Sequence, residues 1–279
     1  MTPVSSPLTV PLPNLNAWTT HFRDAEIPVL ADSADALETM RANEDELDAN
    51  TIGELISADP LMTLKVLAHA ATHRRSRMVT DTETVTATLV MMGIPPFFRA
   101  FGLQPTVEER LATEPEALAG LLDTVRRAHR AANLALGFAV HRRDPDAAVI
   151  HEAALLHDFA EMLLWCHAPA LALRIRHAQA ADATLRSSAV QHDVLNIRLA
   201  ELQQALMKAW RLPELLIRIN DGDHAHRPGE RSVVLAVRLA RHSARGWDNV
   251  AIPDDVSEAS ELLGVSFDAA MKLIRAIDD

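Results

Sequence analysis

The sequence predicts an all-α protein, and three features of its composition lead to this fold class. Ala and Leu, which are good helix formers, fill the chain. Glycine is scarce, with 9 residues in 279. Segments in which β-branched residues alternate with polar ones between glycine turns, as half-buried strands require, are missing.

The first 25 residues are predicted to form an extended arm. Prolines recur at positions 3, 7, 11 and 13, and proline removes the backbone donor that a helix needs. The helical pattern then begins near Ala34. Trp18 lies within the arm, where it could fasten the arm to the rest of the protein or provide an exposed contact for a partner.

Local signals predict where the next helices begin and end. Thr51–Glu54 and Thr106–Glu109 match capping boxes, in which the Thr hydroxyl and the Glu carboxylate accept from each other's backbone amides. Asp59–Pro60 should open a helix, since Asp caps the first amides and proline at the first position loses no hydrogen bond. Gly93 should end the helix before it by adopting a left-handed conformation.

The carboxyl-terminal half is predicted to contain longer helices. The charged turn near 103–115 separates it from the short helices that precede it. The expected helices cover residues 115–141, 146–167, 185–210, a short stretch after Pro213, 231–244, and two short helices on either side of Gly264.

The charge and the cysteine content restrict the partners and the location. A net charge of −11 and short basic runs at 73–77 and 141–143, read as solvated helix ends or turns, argue against nucleic acid as the partner. No apolar run approaches the ~20 residues of a membrane span, and no secretory signal is present. A lone Cys166 suits a reducing compartment. We therefore expect a cytoplasmic protein with no membrane partner.

The run from His151 to Met162 contains the residues with most chemical interest, His157 and Asp158. On an ideal helix these neighbours point about 100° apart, although both could reach one ion near a helix end or kink. The alternative is a core histidine whose ring is satisfied by Asp158 or by a carbonyl. Cys166 and His167 diverge in the same way, so a buried, inert thiol is favoured over a nucleophile. Phosphate-binding and nucleophile-elbow motifs are absent from the sequence.

The order of several motifs resembles the HDOD domain, the HD-related output domain of bacterial signalling proteins, over residues 26–245. The matching segments are 27–37, 52–73, 84–94, AALLHDFAEML at 153–163, MKAWRLPELLIRI at 207–219 and GDHAH at 222–226. The resemblance implies a multi-helix HD-like bundle with an amino-terminal helical subdomain. Together with the prolines of the first 25 residues and the charged turn near 103–115, it predicts an arm (1–25), that subdomain (26–112), an HD-like subdomain (113–248) and carboxyl-terminal helices (249–279).

The resemblance also implies a vestigial form of the metal site of HD-superfamily phosphohydrolases. Its positions are His129, His157, Asp158, Asp223, His224 and Arg238. A further ligand position falls near Leu199, which cannot ligate. The position of an expected aspartate falls near Arg238, whose fixed positive charge would repel a cation. We expect no catalytic residue and no metal cofactor. If one divalent ion is held, its ligands would be His129, His157, Asp158 and His224.

Three functions follow as hypotheses. The leading one is a non-enzymatic signalling module that binds a regulatory protein or a small anionic effector. The alternative is a metal-dependent phosphohydrolase acting on a nucleotide or cyclic dinucleotide. The third is a scaffold that assembles copies of itself through the arm or through the apolar carboxyl-terminal helices.

Overall fold

The fold is all-α, as the composition predicts. The computed structural model describes residues 6–72, 83–182, 184–221 and 226–278. Within these ranges no strand is present, and the only β-type pairing is an isolated bridge between Val29 and Thr106. The helices are α1 (Leu15–Asp24), α2 (Ala31–Arg41), a short 3₁₀ helix (Glu44–Glu46), α3 (Ala49–Ser57), α4 (Pro60–Thr72), α5 (Val85–Met92), α6 (Ile94–Ala100), α7 (Val107–Arg110), α8 (Pro115–His141), α9 (Ala147–Leu155), α10 (Phe159–His167), α11 (Pro169–Ala181), α12 (Ser187–Leu195), α13 (Leu199–Ala209), α14 (Glu214–Ile219), α15 (Pro228–His242), α16 (Ile252–Leu263) and α17 (Phe267–Asp278).

The chain folds into two compact units, and each unit combines segments that are distant in sequence. Unit 1 consists of Met1–Thr124 and Asp158–Leu212, and unit 2 consists of Val125–His157 and Pro213–Asp279. The first division falls inside α8 and the second between His157 and Asp158. The four domains predicted from the sequence are continuous stretches of the chain, whereas each unit combines separate segments. The units therefore do not test those domains, which remain a prediction.

Helix α1 corrects the prediction that residues 1–25 form an extended arm. Asn14 caps this helix by accepting from the amide of Ala17 at 3.0 Å. Trp18 and Phe22, one turn apart, are fully buried in unit 1, where α1 packs against α13. The indole Nε1 of Trp18 donates to the carbonyl of Leu195 at 2.9 Å. Of the two roles considered for Trp18, it therefore fastens the amino-terminal segment to unit 1.

The predicted helix starts are confirmed in part. The capping box of Thr106 and Glu109 is present. The box predicted at Thr51 and Glu54 is wrong, because the N-cap of α3 lies three residues earlier, at Asp48, which accepts from the Thr51 amide at 2.8 Å. Aspartate is a better N-cap residue than threonine, which explains why α3 is capped by Asp48 and includes Thr51 in its first turn.

Asp59 opens α4 as predicted and also ties it to another segment of unit 1. Its Oδ1 accepts from the amides of Leu61 and Met62, at 2.8 and 3.1 Å. Its Oδ2 accepts from the amide of Leu30 at 2.8 Å. Burial raises the pKa of the Asp59 carboxyl, while these backbone donors oppose the rise.

Two long helices predicted in the carboxyl-terminal half are wrong as single elements. The stretch 146–167 forms α9 and α10, and the stretch 185–210 forms α12 and α13, with Asn196 in a left-handed conformation (φ 63°) between them. The predictions for 115–141, for the helix after Pro213 and for the final pair around Gly264 (φ 66°) are confirmed. The prediction for 231–244 is confirmed within a few residues, since α15 begins at Pro228.

In unit 2 the carboxyl-terminal helices pack on their own chain. Helix α17 buries Ala270 and Ile274 and lies so close to α8 that a Cβ at Gly137 would collide with Ile277. Arg130 Nε on α8 donates to Asp278 Oδ1 at 2.6 Å. Leu263, Ala270 and Ile274 of these apolar helices are therefore buried within unit 2, whereas Phe267 is 41% exposed.

One of the two basic runs predicted to be solvated can be compared with the structure. Residues 73–77 lie outside the described residues. In the run 141–143, α8 ends at His141 and a turn follows as predicted, although Arg142 is held by Asp144 and Ser232, both at 2.9 Å. Across the described part of the chain, every helix falls short of the length or the hydrophobicity that a membrane span demands.

Candidate functional site

His157 and Asp158 lie in the turn that separates α9 from α10. The α9 helix ends at Leu155, and the amide of His157 donates to the carbonyl of Ala154 at 3.2 Å, which closes a tight turn. Asp158 is the N-cap residue of α10, and its carbonyl accepts from the amide of Glu161 at 3.0 Å. The pair therefore occupies a helix break, the setting in which neighbouring side chains are freed from the 100° separation of a regular helix.

Three histidines of unit 2 lie on α8, on α9 and in the turn that follows α9. His129 on α8, His151 on α9 and His157 in the turn are all half-buried. Burial lowers the pKa of His151, and the charge of His129 lowers it further, so the two rings are close enough to repel each other when protonated. His151 is consequently a neutral imidazole at neutral pH, able to donate and accept one hydrogen bond each.

Arg238, on α15, is bound by carboxylates of α16 within unit 2. Its Nε and Nη2 donate to Asp255 Oδ1 at 3.0 and 2.5 Å, and Nη2 also lies 2.8 Å from Glu258 Oε2. His242 lies one turn further along α15, on the same face, and its Nδ1 is 2.5 Å from Asp255 Oδ2. The Asp255 side chain is only 2% exposed.

This network neutralises the charge of Arg238. Partial burial of the guanidinium would lower the pKa of Arg238, but the hydrogen bonds and charges of Asp255 and Glu258 outweigh that effect and raise it. The positive charge is thus permanent and is matched by two carboxylates. The resemblance described above places Arg238 near the position of a metal-binding aspartate, and this placement stays a prediction because the family match ends at residue 226.

Cys166 and His167 belong to a structural network in unit 1, not to a nucleophilic pair. The thiol is fully buried, and burial raises the pKa of Cys166 to about 12, as expected for an inert cysteine. The ring of His167 lies between Arg110 Nη2, 2.9 Å from Nδ1, and the carbonyl of Glu26, 3.0 Å from Nε2. Burial, followed by the charge of Arg110, lowers the pKa of His167 to about 3, so the ring is neutral with its proton on Nε2.

A comparison with protein families assigns the chain. The HDOD domain profile matches residues 27–226. This chain belongs to the HDOD family. The match begins beside the predicted start of the amino-terminal subdomain and includes the turn with His157 and Asp158, while α15 and its network with α16 follow after its end.

Solved structures show that the HDOD chain shares its fold with proteins of very different sequence. The MmoQ response regulator of Methylococcus capsulatus superposes with a TM-score of 0.66 at 17% identity, covering 90% of this chain and 99% of that one. A virulence factor of Campylobacter jejuni superposes with a TM-score of 0.59 at 15% identity, covering 94% and 97%. No curated protein matches the sequence significantly. At these identities the comparison shows the fold alone.

The donor set of this HDOD chain does not match an HD-type metal centre in the residues that the structure describes. Among them, no three His, Cys, Asp or Glu side chains are grouped so that they could hold an ion. Leu199 is buried at the start of α13, and Arg238 is cationic, so neither position offers a ligand. His129, His157 and Asp158 each have an interaction partner. Asp223 and His224 lie outside the described residues, and the expectation that no metal is bound stays a prediction.

The sequence did not indicate three residues of this region: His151, His242 and Asp255. His151 stands six positions before His157 in the same run, which is the signal that could have included it. The pairing of Arg238 with Asp255 joins two helices across 17 positions and leaves no local pattern.

Proposed function

We propose that this HDOD chain is a regulatory module that acts by binding a signalling protein or a small anionic effector, and that it does not hydrolyse phosphoesters. The observation that carries the proposal is the state of Arg238, whose guanidinium is held by Asp255 and Glu258. A hydrolytic metal site needs several anionic or neutral donors and an open position for water. Here one donor position is a permanent cation that is neutralised by the protein itself.

The second support is the substitution of Leu199. A metal that activates water must lower the pKa of that water, and this effect depends on a nearly complete ligand shell with little competing positive charge. Losing one donor to leucine and another to arginine weakens metal binding, because neither side chain can offer a lone pair to an ion. The chain retains the HDOD fold without the full set of ligands, which is the combination expected of a binding module.

The names of relatives point in the same direction. The superposed Methylococcus protein is described as a response regulator, which is a signalling role. Because the identity is 17%, this role is carried to the present chain only as part of the proposal. The expected partner is neither nucleic acid nor a membrane, in keeping with the net charge of −11.

Metal analysis combined with a hydrolysis assay tests the proposal. The protein would be purified without chelator, supplied with manganese, iron or zinc, dialysed, and analysed for bound metal and for hydrolysis of bis(p-nitrophenyl) phosphate. We expect bound metal far below one ion per chain and no turnover above buffer. His192→Ala and Asp193→Ala, which remove exposed side chains of α12, serve as matched controls for His157→Ala and Asp158→Asn.

A stoichiometric ion that is lost in His157→Ala, together with turnover that is lost in Asp158→Asn, would contradict the proposal. A genetic experiment separates the two functions independently. In a strain that lacks this gene and shows a phenotype, Asp158→Asn should restore the wild-type phenotype as well as the unmodified chain does. A hydrolase would not tolerate that change.

A further inference from the structure

Unit 1 contains an open pocket of about 470 Å³ between the end of α2 and α6. Its lining residues are Arg41, Glu44, Pro95, Phe98, Arg99 and Gly102. The volume lies within the range of about 300–1,000 Å³ that ligand-binding clefts occupy. Two of these six residues are cationic and one is anionic, so the described lining itself carries one net positive charge in an acidic chain.

Arg41 is held in a fixed position at this pocket. Its Nη2 donates to the carbonyl of Phe101 at 2.7 Å and lies 3.2 Å from Glu38 Oε1. The guanidinium carbon lies 5.8 Å from the centre of the Phe98 ring, a cation–π distance. The Nε atom is buried and has no hydrogen-bond partner, so one donor of this group is unsatisfied.

Arg99 supplies the second positive charge and differs from Arg41 in being exposed. In the ranges that the structure describes, it forms no ion pair, whereas Arg41 and Arg238 both do. Among the described residues that line the pocket, Glu44 is the one acidic member. An anionic group placed between Arg41 and Arg99 would therefore meet complementary charge.

Large apolar side chains are exposed in the same part of the chain. Val90 and Met91 on α5 are 66% and 59% exposed, and Leu103, next to the pocket residue Gly102, is 82% exposed. Helix α5 packs against α6, and Gly93 forms the corner between them with φ 82°, which is accessible mainly to glycine. Along the chain, Val90 and Met91 lie five and four positions before Pro95, and Leu103 follows Gly102, so the exposed apolar residues flank the pocket residues in sequence at this corner.

A small anion would use the two arginines and leave the apolar residues in water. A protein segment would use both, because the centres of protein interfaces are enriched in Arg, Met and aromatic residues with apolar neighbours. Exposed apolar side chains grouped beside polar residues are also typical of protein interaction sites. The combination favours a protein partner over a free anion.

We infer that this corner of unit 1 docks a protein segment that presents an acidic side chain to Arg41 and Arg99 and apolar side chains to Val90, Met91 and Leu103. The inference rests on the proposed function, since it names the class of partner that the regulatory module binds. The acidic side chain supplies orientation through the two arginines, and the apolar neighbours supply most of the buried area.

Selection from a phage-displayed library of random peptides of about a dozen residues tests the inference, with the full chain as bait. We expect selected sequences to share Asp or Glu next to large apolar residues. Their affinities would then be measured by fluorescence anisotropy for the wild type, Arg99→Glu, Leu103→Ser and Arg174→Glu. Arg174 is an exposed arginine on α11 of the same unit and provides the matched charge control.

The affinity should fall at least about tenfold in Arg99→Glu and severalfold in Leu103→Ser, while Arg174→Glu stays within about twofold of the wild type. Far-UV circular dichroism checks that each variant is folded. We expect all three to fold, because Arg99, Leu103 and Arg174 are exposed. Selected peptides without an acidic preference, or peptides that bind Arg99→Glu as tightly as the wild type, would overturn the inference.

Inorganic phosphate provides the opposing outcome. If phosphate alone shifts the NMR signal of the Arg99 Nε–H at low concentration while the library yields no binders, the pocket serves a small anion and the docking inference is wrong. Neither result depends on metal content or hydrolysis. The inference can therefore fail while the proposed regulatory function stands, and a metal-dependent activity would refute that function whatever the peptides do.

Discussion

Replacing Asp255 with Asn should destabilise the protein by about 2 kcal/mol. The wild-type carboxylate is almost fully buried and lies within hydrogen-bond distance of Arg238 Nε, Arg238 Nη2 and His242 Nδ1. An asparagine has one acceptor oxygen, and its amide would turn donors toward one of these groups. The variant therefore loses the negative charge and leaves at least one buried contact unfavourable.

The size of this loss in stability depends on how exposed Asp255 and Arg238 are. Removing one partner of a fully buried ion pair typically costs about 3–5 kcal/mol. Arg238 is 38% exposed and keeps Glu258 at 2.8 Å, so water and the second carboxylate recover part of its stabilisation. We therefore expect about 2 kcal/mol for Asp255→Asn. A similar loss of about 2 kcal/mol is expected for Arg238→Met, because this variant keeps the apolar stem but leaves the buried Asp255 carboxylate without its arginine.

Urea denaturation followed by far-UV circular dichroism measures these free energies of unfolding. The double variant Arg238→Met/Asp255→Asn completes a double-mutant cycle, and the coupling energy should be about 1 kcal/mol. Arg245→Met, which alters an exposed arginine beyond the end of α15, should change the stability by less than about 0.5 kcal/mol.

A coupling energy near zero would refute the reasoning. It would mean that Asp255 does not compensate the charge of Arg238 in solution. The observation that carries the proposed function would then lose its physical basis, even though the position would still lack a metal ligand.

Three further predictions concern unit 1. Trp18→Ala should lower the free energy of unfolding by about 3–5 kcal/mol in urea denaturation, because it removes a buried indole. Val10→Ala, at a 68% exposed position, should have no measurable effect. Equal losses in the two variants would contradict the role of Trp18 in fastening the amino-terminal segment to unit 1. The depressed pKa of His167 predicts stability that is fully present above about pH 6.5, the unfolded value, and is lost as the pH falls toward the folded value of about 3. His167→Gln should flatten this part of the pH profile relative to the wild type, and parallel profiles would argue against a buried neutral ring. Because the pKa of Cys166 is raised to about 12, a thiol reagent such as DTNB should react with it only after urea unfolding, and rapid labelling of the native protein would contradict its burial.

The sequence predicted those parts of the fold that depend on local chemistry. The helices that start at a capped position, as at Asp59 and Thr106, or stop at a glycine, as at Gly93 and Gly264, follow from backbone requirements that a few neighbouring residues satisfy. Helix α1 was missed because prolines precede it and because Trp18 and Phe22 become informative only once their contacts in unit 1 are known.

The break between α9 and α10 could not be predicted in the same way. The stretch from Ala147 to His167 contains neither glycine nor proline, and its apolar residues continue across the turn. Asp158 is a favourable N-cap residue, but an aspartate beside a histidine is equally compatible with one long helix. Packing of apolar residues on both sides of the turn decides between these arrangements, and packing is not a local property.

The resemblance supplied the residues of the candidate site, which stay a prediction, but it did not supply their surroundings. The resemblance placed His129, His157 and Arg238 at the positions of a vestigial metal site, and the family match confirms the resemblance from which they were taken. The sequence analysis expected Arg238 to repel a cation, but it did not predict that carboxylates would neutralise this arginine. Asp255 lies on a helix outside the matched range, so the balance of charge depends on tertiary structure.

The position of α1 and α15 bears on how this chain should be dissected. A fragment trimmed to residues 27–226 would lose α1, which packs on α13 and buries Trp18 and Phe22. It would also lose α15, one of the two helices on which α9 packs most extensively in unit 2. The exposed faces would favour aggregation, and an inactive fragment would then be mistaken for evidence about the missing ligands. Studies of this protein should keep both flanking segments, since they complete the two hydrophobic cores that the central region leaves open.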